Sequence, residues 1–385
     1  MELPSYFRDF LTGIRPTENQ RQDLITGHRT LRERLNADET LSKIIVSMFL
    51  QGSYRRGTVI RPKGDKRSDV DLVVVTKLSE EDYPDPEEAM KLFIPFLEQH
   101  YKDKYELQGR SIGISLSYVD LDLVITSAPT EAEIGLLLSE SVTSLDSLEE
   151  VDDWRLNQFW ISQDARQTFS DSLVRNRLDT ARQEAEWKLS PLRIPDREAK
   201  TWEDTHPLAQ TQWTRDKNKL CNSHYINVVK AIKWWRRVKH PTPKYPKGYP
   251  VEHLIGQCCP DEILSVADGV TLTLETIASK YAIHAACKMT PDLRDHGVPS
   301  HNVFKRVSGE DFAEFHTQVC EAAKIARQAL DADTVYESAQ LWRELFGNKF
   351  PEPPENNSGR GSNPSQPGGF TQRQSVSTVG TGRFA

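Results

Sequence analysis

Apolar residues follow one spacing in the first third of the chain and another in its second half, and the elements they predict differ accordingly. Residues 19–36 have the pattern of a long charged helix, with Thr17 placed to cap it, Gln20 three residues on to complete a capping box, and Pro16 just before. A second amphipathic stretch starts at Glu39, and its apolar end (Ile44, Ile45, Val46, Met48, Phe49, Leu50) runs into Gly52-Ser53. A loop rich in Arg, Lys and Gly, from Arg55 to Arg67, leads into Ser68-Asp69-Val70-Asp71-Leu72-Val73-Val74-Val75, a β-branched run that predicts a central strand. Residues 86–101 carry helical spacing through Ala89, Leu92, Phe93, Phe96 and Leu97. Residues 105–118 alternate like a strand pair around Gly109 or Gly113, and residues 119–125 predict another buried strand. Helices alternating with strands in this order imply a mixed sheet with helices against it. From 143 to 206 the pattern weakens to scattered helix.

In the second half, residues 213–238 predict one long helix bearing Leu220, Tyr225, Ile226, Val229, Ile232 and Trp235. A Pro/Lys/Tyr loop at 241–250 follows, then helices at 251–257, 271–289, 309–330 and 335–346, the makings of a helical bundle. Beyond Pro351 the chain is rich in Pro, Gly, Ser, Asn and Gln with almost no large aliphatics, so a disordered tail is expected. No internal repeat is visible. The expected organisation is an α+β core over residues 1–205, a helical lobe over 206–350 and a tail over 351–385.

Composition narrows the class. Apolar residues make up 37% and charged residues 27%, ordinary for a globular protein. No apolar run reaches membrane-spanning length, the first residues lack the order of a secretory signal, and the five cysteines form no Cys-x-x-Cys spacing. A cytoplasmic protein with reduced thiols and no membrane partner is expected. Lys plus Arg number 49 against 56 Asp plus Glu, a formal charge of −7 that disfavours a general nucleic-acid binder. A local basic patch for a small anion such as a nucleotide remains compatible with it.

Four features carry candidate chemistry. Gly52-Ser53 lets backbone approach a phosphate closely, with the serine hydroxyl and amide as donors. Alone, such a pair is more often an ordinary turn. In Asp69-Val70-Asp71 a strand turns both carboxylates to one face while Val70 packs beneath. Two such carboxylates repel unless a cation offsets them, and magnesium, which takes hard oxygen ligands, is the natural one; solvated acids at a strand entrance are the alternative. Asp120-Leu121-Asp122, leading into Leu123-Val124-Ile125, would bring a third carboxylate and complete a two-metal site. Asp122 is favoured because, like Asp71, it directly precedes the apolar run, and Asp120 on the same face is the fallback. Lys230 and Lys233, three apart on a helix, share a face, and Lys233 could serve a triphosphate as a point charge. The alternative is a solvated basic face with Arg236, Arg237 and Lys239.

Gly52-Ser53, Asp69-x-Asp71 and Asp122 together resemble the signature of the DNA polymerase β-like nucleotidyltransferases. The context from Phe49 to Thr58, with Asp69 to Val74, is similar to the bacterial CD-NTases, relatives of oligoadenylate synthase and cGAS. Ile232-Lys233-Trp234-Trp235 resembles the stretch whose lysine contacts the triphosphate in the synthases, and Tyr249 to Leu254 is similar to the helix after it. Residues 245–250 and the ending Thr381 to Ala385 resemble clade D. The resemblance spans about residues 1–350. It implies a nucleotidyltransferase sheet closed over a helical lobe with the active site between, and Gln51, Gly52, Ser53 and Lys233 as nucleotide-binding residues. It also implies ATP and GTP as substrates and two Mg2+ held by Asp69, Asp71 and Asp122. The implied product is a 3′–5′ linked cyclic nucleotide, a cyclic trinucleotide such as cyclic AMP-AMP-GMP, that activates an antiphage effector. It further implies a ubiquitin-type activating and conjugating enzyme that captures the C-terminus at Ala385. His253, Cys258 and Cys259 match part of the cGAS zinc set, but the last cysteine is missing at comparable spacing. With Cys287 and His284 the only substitutes, no zinc is expected. The acidic charge argues against a DNA or RNA activator. Rival readings are a nucleotidyltransferase acting on an RNA end or a small molecule, and an inactive adaptor working through its tail.

Overall fold

The computed structural model describes residues 1–62, 64, 66–127, 191–240 and 246–353. Its centre is β2 (Ser68–Thr76), the β-branched strand expected, paired antiparallel with β1 (Ile45–Gln51) and parallel with β5 (Val119–Ser127). A parallel pair needs a crossover. Two helices, α5 (Pro86–Lys91) and α6 (Ile94–Tyr101), and the hairpin β3 (Tyr105–Leu107) and β4 (Ile112–Ser115) supply it. The strand order is β1-β2-β5-β4-β3, and a second hairpin, β6 (Leu192–Asp196) with β7 (Thr201–Thr205), joins the far end of β5.

The sheet buries both faces unequally. Val70, Leu72, Val74, Leu121, Leu123 and Ile125 meet Leu24, Leu31 and Leu35 of α2 (Glu18–Ala37) and Phe96 and Leu97 of α6 in one core. The other face holds the smaller cluster of Val46, Phe49, Val73, Val75, Val124 and Ile194. Asp69 and Asp71 lie on that second face, at the strand end where the apolar residues stop. The capping box of α2 is formed: Gln20 N–H donates to Thr17 Oγ1 and Gln20 Oε1 accepts from Thr17 N–H.

Several expectations are corrected. The stretch after Glu39 is helical only over α3 (Leu41–Ile44), and its apolar end is β1. The expected helix at 213–238 is two, α7 (Pro207–Leu220) and α8 (Tyr225–Lys239). Between them Asn222 and Ser223 take left-handed backbone, φ 51° and 65°. The expected helix at 271–289 starts earlier as α10 (Val266–Lys280) and restarts as α11 (Ala282–Ala286), after α9 (Tyr249–Cys258). Two long helices, α12 (Gly309–Asp331) and α13 (Val335–Phe346), close the bundle as expected. The first helix, α1 (Pro4–Ile14), had no counterpart in the sequence reading. It packs into the helical half, where Phe7 meets Trp342 edge-on at 5.0 Å between ring centroids and Phe10 stacks on Phe346 at 4.5 Å. The expected tail, from 354 on, lies outside the described residues.

Candidate functional site

The parallel register sets Asp69 opposite Asp120 and Asp71 opposite Asp122, so four carboxylates share one face of the two central strands. Three of them converge: one oxygen each from Asp69, Asp71 and Asp122 lies within 4.8 Å of the others. Among the described residues this is the one grouping of three or more possible metal ligands. Asp120 turns instead to Arg67, whose Nη2 and Nε donate to its Oδ1 at 2.8 and 2.9 Å.

The loop after β1 is shaped to the same point. Gln51 pairs in register with Asp71, and Gly52, at φ 72°, opens the short helix α4 (Gly52–Arg55). A Cβ on Gly52 would stand 1.8 Å from Asp71 Oδ2, so only glycine fits there. On the other flank Gly113 of β4 lies opposite Asp122, where a Cβ would stand 2.3 Å from Gln108 Nε2 and only in ordinary contact with the Asp122 carboxylate.

The carboxylates are electrostatically frustrated. Asp69 opens into the cleft, yet the surrounding protein deprives it of solvent, and with Asp71, Asp122 and Asp120 this pushes its carboxyl up to about 8. Burial and the neighbouring Asp71 and Asp120 push Asp122 up to about 6. Burial raises Asp71 as well, against the opposing charge of Arg56. Three hard oxygen donors at one point, each short of positive charge, are the donor set a divalent cation such as Mg2+ takes.

A second cluster adjoins the first. Glu252, on α9, is buried and accepts from Lys233 Nζ at 2.6 Å, Thr58 Oγ1 at 2.8 Å and Arg56 Nε at 3.1 Å. Lys233 Nζ also donates to the Thr58 carbonyl at 2.9 Å. Burial alone would raise Glu252, but the two cations hold its carboxyl down at about 2, while burial lowers Lys233 despite Glu252. Lys230 and Arg236 are buried, 2% and 7% exposed, so the alternative of a solvated basic face is wrong.

Ser53, Asp69 and Lys233 line one cleft of about 520 Å³ between the sheet and the helical half. Its walls carry Lys66, Arg67, Lys233, Arg236, Arg237 and Lys247 against Asp69 as the one acid, a strongly anion-attracting space in a protein of net charge −7.

Comparison with known proteins agrees with this geometry. Residues 1–130 match the model of the Second Messenger Oligonucleotide or Dinucleotide Synthetase domain. Over 392 aligned positions the chain is 50% identical to a cyclic AMP-AMP-GMP synthase of Enterobacter hormaechei, covering 100% of both. The chain belongs to the bacterial CD-NTases. A cyclic AMP-AMP-AMP synthase of Acinetobacter is 28% identical, over 91% of this chain and 86% of that one. The fold of this CD-NTase is shared with the solved structure of the Bradyrhizobium diazoefficiens CD-NTase CdnG in complex with GTP. The TM-score is 0.62 at 12% identity, over 90% of this chain and 96% of that one. Like its family, this CD-NTase is a nucleotidyltransferase with an α+β sheet followed by a helical lobe.

Of the candidate residues, the structure brings Asp69, Asp71 and Asp122 to one point, sets Gly52 against Asp71, and places Ser53 and Lys233 on the cleft wall. Gln51 stands at the rim of the sheet beside Asp71, and Ala385 lies outside the described residues. Sequence reasoning missed Arg56, Thr58 and Glu252 as a unit with Lys233; the burial of Glu252, which demands a partner, shows only in the structure. His253 and Cys259 have other engagements. His253 Nε2 meets the Arg294 carbonyl at 2.9 Å, the ring stacks on His296 at 4.0 Å, and the Cys259 thiol lies against Cys221.

Proposed function

We propose that this CD-NTase joins two molecules of ATP and one of GTP through 3′–5′ bonds into cyclic AMP-AMP-GMP. The convergence of three frustrated carboxylates, one of which, Asp69, lines a basic cleft, carries this reading, and 50% identity over the full chain to a cyclic AMP-AMP-GMP synthase selects the product. The 28% relative that makes cyclic AMP-AMP-AMP indicates that base choice varies across the family while the reaction stays. Asp69, Asp71 and Asp122 would hold two Mg2+. These would neutralise the triphosphate and acidify the acceptor 3′-hydroxyl. Gln51, Gly52, Ser53 and Lys233 hold the triphosphate, so that the 3′-hydroxyl of one nucleotide lies in line with the α-phosphate of the next and pyrophosphate leaves opposite. Asp122, beside the acceptor, draws off the hydroxyl proton. Residues 1–205 supply the carboxylates and residues 206–350 supply Lys233 and Glu252, with α1 reaching across to the helical side.

The wider setting of this reading is clade D, a cytoplasmic enzyme needing no DNA or RNA activator, a product that switches on an antiphage effector, and a ubiquitin-type activating and conjugating enzyme that captures Ala385. The decisive experiment incubates the protein with ATP, GTP and Mg2+, digests with phosphatase and weighs what survives. A resistant ring with the mass of two AMP and one GMP is expected. Products that phosphatase trims would mean linear transfer to another acceptor.

A further inference from the structure

The reading above uses three of the four carboxylates that β2 and β5 present on one face. The fourth, Asp120, is the register partner of Asp69 and stands two residues before Asp122. Strand geometry puts it roughly 5 Å from the one backbone position and about 7 Å from the other, within reach of an ion held by the triad. One guanidinium occupies it: two nitrogens of Arg67 converge on Asp120 Oδ1, at 2.8 and 2.9 Å. Arg67 itself precedes Asp69 by two residues and walls the cleft. Both side chains are 36% exposed, so the pair is held by geometry rather than sealed in a core.

We propose that Arg67 is a positioning residue that withholds Asp120 from the metal site, so that incoming ions take only Asp69, Asp71 and Asp122. The inference rests on the reading of that triad as the metal site. A fourth carboxylate would bind a divalent ion more tightly but cancel more of the positive charge that the triphosphate and the ionising hydroxyl require. Affinity for metal would rise and turnover would fall.

The test is a Mn2+ titration followed by electron paramagnetic resonance, with steady-state product formation, on the full-length wild type, R67Q, R67Q/D120N and D71N. R67Q should bind Mn2+ about threefold or more tighter and turn over about tenfold or more slowly, and R67Q/D120N should return both values toward wild type. R67K, which keeps one charged contact, should fall between wild type and R67Q. If R67Q/D120N stays as slow as R67Q, Arg67 acts on the nucleotide directly and the proposal is overturned; unchanged Mn2+ affinity in R67Q overturns it equally. Failure of the triad reading looks different: D71N would then bind Mn2+ as tightly as wild type.

Discussion

At the scale of single residues the site depends on contacts with no slack. Gly52 is the sharpest case, because its left-handed φ and the 1.8 Å clearance to Asp71 Oδ2 exclude any side chain. Gly52→Ala should leave the circular-dichroism spectrum intact yet cut product formation by about 100-fold or more, since displacing a reacting group by about 1 Å costs that much. A G52A enzyme within a few-fold of wild type would show that Asp71 need not stand where it does. Glu252 makes a different demand. It lies between Arg56 and Lys233 in a buried position, and breaking such a pair from one side leaves uncompensated charge. Glu252→Gln should therefore destabilise the protein by about 3 kcal/mol in urea denaturation and raise KM for ATP. Adding K233M to E252Q should recover part of the stability by removing the stranded cation, and an additive loss in the double variant would count against the pairing.

At the scale of elements, the geometry of the carboxylates follows from one parallel register; the acids on one face of each strand were readable in sequence, the register between the strands was not. Two Asp-x-Asp runs, each heading a β-branched stretch, predict acids on one face of strands long enough to be central. What could not be read has physical causes. The apolar run of β1 alternates with nothing, because the strand is covered on both faces, so its period does not separate strand from helix. The break between α7 and α8 was hidden because its turn uses Asn222 and Ser223 in left-handed backbone where a glycine would have marked it. That strain is measurable: Ser223→Gly should raise the unfolding free energy by about 0.5–1 kcal/mol, and a loss of stability would mean the hydroxyl earns more than the backbone strain removes. The Glu252 cluster was invisible for a third reason. Its partners lie 194 and 196 residues away in Thr58 and Arg56, and no local pattern records a contact of that span.

At the scale of the whole molecule, a protein of net charge −7 gathers six Lys and Arg side chains along one cleft, and its most crowded acids converge where Asp69 enters that cleft's wall. The metal-free site is then a source of instability with a definite pH dependence. Asp69 and Asp122 have folded values raised to about 8 and about 6, above those of an unfolded aspartate. Between the unfolded and the folded value the native state binds more protons than the unfolded one, so this site's contribution to stability falls as pH rises from roughly 4 toward 8. Divalent metal reverses the sign, because it binds the ionised carboxylates and competes with those same protons. The gain in Tm on adding 10 mM-scale Mg2+, which is about the range in which such sites saturate, should accordingly be small at pH 5.5 and grow steadily to pH 8. Chelation with EDTA should erase it and abolish product formation together. In D71N, where one ligand and one repelling charge are gone, the metal-free protein should lose less stability between pH 5.5 and 8 than wild type. Its Mg2+-induced gain should shrink at every pH. Differential scanning calorimetry across that range, with and without Mg2+, separates the two effects, and a metal-induced gain independent of pH would mean that the carboxylates enter the folded state already ionised.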